Sequence, residues 1–165
     1  MSTAHDFDFL HGEWQGRHRR RTGFLDPGSA WEAEFTSTSH CLPLFDGAAN
    51  IDEIDMPHLG SKGLTLRLFD PSTRQWSLHW SSSGTGRLFP PVVGRFRDGR
   101  GEFHGEDAYD GNDVRVRFVW SGVSATAARW EQAFSADGGH TWVTNWIMDF
   151  TRPPAPPPAS GTPSA

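Results

Sequence analysis

From Glu13 to Arg152 the apolar and polar positions alternate with a period of two. Leu64, Leu66 and Leu68 alternate with Gly63, Thr65 and Arg67, and Trp76, Leu78 and Trp80 alternate with Gln75, Ser77 and His79. Val114, Val116, Phe118 and Trp120 alternate with Arg115, Arg117 and Val119, while Trp142, Trp146, Met148 and Phe150 share one parity near the end. Successive side chains on a strand point to opposite faces, so this pattern predicts half-buried β-strands. Turn-forming runs separate them: Asp26-Pro27-Gly28, Asp46-Gly47, Asp70-Pro71-Ser72, Asp98-Gly99, Asp110-Gly111 and Asp137-Gly138-Gly139. Asp and Gly accept the positive φ or local side-chain turns that tight hairpins demand. Counting the runs between turns gives about ten strands in simple succession. No intervening stretch has the length and period of a crossover helix, so the sheet should be antiparallel. Such a sheet either closes on itself or leaves an unpaired margin, and closure into an up-and-down barrel is the expected outcome.

The two ends of the chain depart from this pattern. Phe7, Phe9 and Leu10, with Asp6 as the N-cap, predict a single helical turn that plugs one end of the barrel, against the alternative of a frayed apolar terminus. The stretch from Pro153 to Ala165 is rich in proline and has neither a charge nor an aromatic ring. It lacks the apolar surface needed to offset the entropy of ordering, so the expected layout is a barrel domain over residues 1–152 and a disordered tail over 153–165. A polyproline ligand role for the tail is the weaker reading.

Composition sharpens the class. The 165 residues suffice for one core without metal or disulfide support. Eighteen Gly, 12 Pro, 8 Trp and 12 Phe beside only 21% charged residues describe a chain of turns and large rings. The net charge of −5 and pI near 5.9 set a field that repels phosphate backbones, so no nucleic-acid partner is expected. The one basic run, Arg17-His18-Arg19-Arg20-Arg21, divides between interior and solvent if it lies on a strand. Cys41 is the single cysteine, which excludes an intramolecular disulfide and points to a small buried hydrophobe. Met1 to Asp6 carries no signal-peptide pattern and no later run has the length of a membrane span, so a cytoplasmic protein without a membrane partner is expected.

Two resemblances emerge from these residues. Gly12-Glu13-Trp14, just after the short apolar turn, resembles the G-x-W signature of the lipocalin and calycin superfamily. That resemblance implies a structural Trp14 at the closed end of the barrel under a late-strand arginine, matched in position by Arg152, as a cation–π contact of about 0.5–2 kcal/mol. A second resemblance covers most of the ordered chain. Phe7-Asp8-Phe9-Leu10 through His18-Arg19-Arg20, Gly63 to Pro71, Pro91 to Phe96, Arg115 to Phe118, Arg129 to Ser135, and Asp137-Gly138-Gly139 to Trp142 with Asn145-Trp146 are similar to a bacterial family of calycin-like proteins, the DUF1579-type proteins. It implies a calycin-type barrel and carries no settled activity.

The interior of a small barrel is either filled by side chains or lined around a ligand. If the apolar faces point inward, the interior receives Trp14, Trp76, Trp80, Trp120, Trp130, Trp142 and Trp146 with Phe118, Phe134 and Phe150, an environment suited to a flat or hydrophobic molecule. The alternative is that these rings fill the barrel. Counting by twos from Trp14 places Gly16, His18 and Arg20 on its face; counting from Trp130 adds Gln132, and from Trp142, Thr144. His18 and Arg20 become catalytic candidates, the first as a proton carrier and the second as a holder of negative oxygen, beside the plainer reading of a satisfied strand histidine. Asn50 and Asp52 share a parity and either face water on a hairpin edge or bring an amide and a carboxylate into the cavity, with Glu53 on the opposite face unless a bulge intervenes. His79 falls on the face opposite Trp76 and Trp80.

The eight histidines show no close metal-ligand spacing, so no metal site is expected, and no cofactor is called for. The ligand-binding set is thus Asn50, Asp52, Trp76, Trp80, Trp120, Trp130, Gln132 and Trp146. The sequence predicts binding of a small hydrophobic or aromatic molecule by a carrier or sequestering protein. The alternatives are a cofactor-free cyclase or isomerase of an aromatic or polyketide-like substrate, and a haem-binding barrel. Monomer and homodimer are both open.

Overall fold

The computed structural model describes residues 1–154, so the tail expected to be disordered lies, from residue 155 on, outside the described residues. Ten antiparallel strands run in succession: β1 (Gly12–Arg20), β2 (Phe35–Leu44), β3 (Ala49–Met56), β4 (Ser61–Asp70), β5 (Gln75–Ser82), β6 (Val92–Arg97), β7 (Arg100–Tyr109), β8 (Asn112–Ser121), β9 (Ala127–Ser135) and β10 (Val143–Thr151). Each pairs with its neighbours in sequence, and β1 also pairs with β10 from Gln15↔Thr151 to Arg20↔Trp146, which closes the barrel. The architecture is therefore the all-β, up-and-down barrel that the alternation predicts, in keeping with the calycin-type barrel that the resemblance implies. The hairpins turn where the Asp-Gly pairs stand. Asp98 and Gly99 have φ of 50° and 75°, and Asp110 and Gly111 have φ of 49° and 76°, the left-handed pair that matches the twist of two-residue hairpins.

Aromatic side chains pack across each end of the barrel. At one end a 3₁₀ turn over Asp8–Leu10 carries Phe7 and Leu10 into the core. Phe7 packs edge-on against Trp76 and Phe96, each at 5.0 Å between ring centroids, and lies along Phe103 at 5.7 Å. Asp6 does not cap this turn. Its carboxylate instead accepts from Ser2 Oγ, Thr3 N and Thr3 Oγ1 and folds the first residues back against the barrel. At the other end the long β1–β2 connection lowers Phe24 onto Tyr109, Phe134 and Trp146, with centroid distances of 5.3, 5.7 and 6.4 Å.

Two parities differ from the expectation that apolar faces turn inward. On β4 the interior side is Gly63, Thr65 and Arg67, while Leu64, Leu66 and Leu68 look outward, Leu66 opposite Ile51 of β3. The inversion follows from what the facing strand offers: Asp52 and Asn50 of β3 hold Arg67 inside, and Gly63 leaves space for the indole of Trp80. On β10 the register shifts between Thr144 and Trp146, a bulge at Asn145 that resets the alternation. Trp146 and Phe150 remain inside, but Trp142 sits outside, 4.6 Å under the guanidinium of Arg117. Within the basic run, His18 and Arg20 take the interior face, whereas Arg17 and Arg19 reach outward to Glu34 and Asp149.

Candidate functional site

Between these two aromatic clusters the barrel retains a cavity. It offers about 90 Å³ to the centres of water-sized occupants, several times the roughly 10–15 Å³ that one water requires on the same measure. Five tryptophans line it, Trp14, Trp80, Trp120, Trp130 and Trp146, together with Leu10, Ile54, Met56, Leu78, Phe118, Met148 and Phe150. Its polar wall is Ser39, Cys41, Asp52, Thr65, Arg67 and Gln132. A mostly apolar hollow with a few placed polar groups is the usual form of a small-molecule site.

Trp14 and Arg152 form the closed end. The Arg152 guanidinium lies 3.9 Å from the Trp14 ring centroid, and its nitrogens donate to the carbonyls of Glu13 and Phe9, both at 2.9 Å. Trp14 Nε1 donates to Leu10 O at 3.0 Å, so one arginine and one indole tie the plug, the first strand and the end of the last into a single unit. Trp76 is buried beneath the plug, where its indole donates to Thr3 O at 3.1 Å; it supports the floor and does not line the cavity.

His18 is fully buried and both ring nitrogens are engaged. Trp146 Nε1 lies 3.0 Å from Nδ1, and an indole nitrogen only donates, so Nδ1 accepts and Nε2 carries the proton toward Ser37 Oγ at 2.7 Å. The ring also stacks on Phe35, with centroids 4.6 Å apart. Burial pushes its pKa down from 6.5 to about 4, so the imidazole is neutral near pH 7. A neutral ring with neither lone pair nor proton to spare fixes the orientation of Trp146, and the wall residues do not include it. Arg20 Nη1 donates to Glu32 at 3.2 Å and the guanidinium rests between Phe24 and Trp146, so it fastens the lid, while its buried Nε has no partner. Neither residue is among those that line the cavity.

Asn50 and Asp52 both point inward. Arg67 Nη1 donates to Asn50 Oδ1 at 2.9 Å and to Asp52 Oδ2 at 2.5 Å, forming a buried ion pair braced by an amide. Asp52 lines the cavity and Asn50 stands behind Arg67. Glu53 faces outward and receives Lys62 Nζ at 2.7 Å. Gln132 donates to Asn145 Oδ1 at 2.9 Å, and Asn145 in turn donates to Phe24 O at 3.1 Å, which connects the cavity wall to the lid. Sequence reasoning missed Arg67 and Asn145. The amide at position 50 and the carboxylate at position 52 were a signal that an interior cation was needed opposite; nothing local marked the bulge.

No family model matches the chain, and no curated protein matches it. Among solved structures it is similar to an S-type phycobiliprotein lyase from Guillardia theta, with a TM-score of 0.60 over 94% of this chain and 95% of that chain, at 12% sequence identity. At that identity the likeness shows the shared lipocalin-like barrel. Among the described residues, no helix is long and apolar enough to cross a membrane.

Proposed function

We propose that this barrel binds a small hydrophobic or aromatic molecule in its central cavity and serves as a carrier or sequestering protein. The observation that carries the reading is the hollow itself, walled by five indoles, which suits an occupant of ring size. The likeness to a phycobiliprotein lyase supports the barrel as a container, while the size of this hollow favours a guest much smaller than a tetrapyrrole. Holding is favoured over turnover because His18 has no free nitrogen. A haem reading is disfavoured by the size of the hollow, and no histidine lines it among the described residues. From the similar runs between Phe7 and Trp146, we also propose that the chain is a DUF1579-type protein.

Titration with naphthalene, followed by quenching of tryptophan emission, tests the reading. Saturable one-to-one uptake is expected, and Thr65→Phe, which fills the cavity from β4, should abolish it. Absence of saturable uptake by the native protein rejects the proposal.

A further inference from the structure

Building on that cavity-binding reading, we infer that the guest is an uncharged molecule with a carbonyl-type acceptor oxygen, received by Arg67 Nε and Trp120 Nε1. Arg67 and Trp120 both line the cavity and are 4% and 3% exposed. Arg67 spends Nη1 on Asn50 and Asp52, and its Nε has no partner; the indole nitrogen of Trp120 has none either. The two side chains are neighbours, with the guanidinium carbon 5.9 Å from the Trp120 ring centroid. A third unpartnered donor, Asn50 Nδ2, belongs to the amide that braces Arg67. Indole and guanidinium nitrogens donate only, and a buried donor left unpaired is costly. The Arg67 Nε and Trp120 Nε1 donors therefore lack an acceptor, and one sp² oxygen has two lone pairs to give.

Charge selects among oxygen-bearing groups. Arg67 and Asp52 are the charged side chains among the described residues of the wall, and they neutralise each other. A carboxylate guest would bring a second anion into a low-dielectric hollow with no second cation, whereas a ketone, aldehyde, amide or quinone oxygen supplies lone pairs without that penalty.

Three probes of nearly one shape separate the possibilities: acetophenone, α-methylstyrene, in which C=CH₂ replaces C=O, and benzoate. Binding is read from the indole N–H resonances, with that of Trp120 assigned through Trp120→Phe. Acetophenone is expected to bind at least as tightly as α-methylstyrene although water solvates the ketone better, to move the Trp120 resonance downfield, and to bind more tightly than benzoate at pH 7. Trp120→Phe, and separately Arg67→Met combined with Asp52→Leu, should each cost the ketone about tenfold relative to the alkene. If the alkene wins by tenfold in the native protein and neither variant moves the ratio, the unpaired donors serve only bound water, and the inference falls while cavity binding stands. It falls in the same way if benzoate binds tightest. If none of the three binds, the cavity reading fails and this inference with it.

Discussion

The indole N–H of Trp146 donates to Nδ1 of His18 at 3.0 Å, across the seam where the last strand meets the first. This bond fixes the imidazole as a neutral acceptor, and burial holds its pKa near 4 against 6.5 in an unfolded chain. The unfolded state therefore binds the extra proton between those values. Stability from this site is complete above pH 6.5, declines as pH falls toward 4, and is level below; the whole effect amounts to about 3 kcal/mol. Urea unfolding from pH 7 to pH 4 should show that loss, and His18→Gln should flatten this part of the profile while lowering stability at pH 7.

Removing the closed-end clamp should loosen three elements together. Arg152→Ala forfeits a cation–π contact and the hydrogen bonds to Glu13 O and Phe9 O, a loss of about 1–3 kcal/mol. Arg152→Lys should recover less than half, because an ammonium cannot reach both carbonyls and cover the indole at once. Thermal denaturation of the two variants checks the order.

Phe24→Ala should open the lid. The ring fills a seat on Tyr109, Phe134 and Trp146, and truncating a buried phenylalanine costs about 3–5 kcal/mol in a rigid core, with the lower end expected for a loop. Exchange of naphthalene should accelerate more than its affinity changes, and acrylamide should quench the tryptophans more strongly. Stopped-flow fluorescence reads both.

Gly63 governs the shape of the hollow without lining it. A Cβ at this position would stand 1.9 Å from Cη2 of Trp80, so Gly63→Ala must displace that indole. The expected result is a stability loss of about 1–3 kcal/mol and weaker uptake of naphthalene, measured side by side.

Cys41 should be inert while the barrel is folded. Burial pushes its thiol up to about 11, so the nucleophilic thiolate is scarce at pH 8. Ellman's reagent should label it only at the rate of unfolding, and a cavity ligand should slow labelling further because Cys41 belongs to the wall.

Much of this was legible in the chain. Alternation along β1 from Trp14 put His18 and Arg20 on the interior face, and the Asp-Gly pairs marked the hairpins, because both signals depend on backbone geometry within a few residues. The inward parity of Asn50 and Asp52 was one of two open readings, and the structure selects it. The site was less legible because its decisive contacts cross between strands. On β4 three leucines outweigh Gly63, Thr65 and Arg67 by hydrophobicity, yet the ion pair with Asp52 turns the strand the other way. On β10 one additional residue, Asn145, shifts the face of everything before it, and Trp142 moves from expected interior to outer wall. His18 faced inward as parity required, but only its partners, Ser37 from 19 residues away and Trp146 from 128, reveal that its chemistry is already used.

The pairing of β1 with β10 also has a temporal consequence. A chain emerging from the ribosome as far as residue 135 would hold two raw sheet margins, on β1 and on β9, until residues 143–151 arrive to bridge them. Synthesis is thus the interval in which this molecule is most open to pairing with strangers.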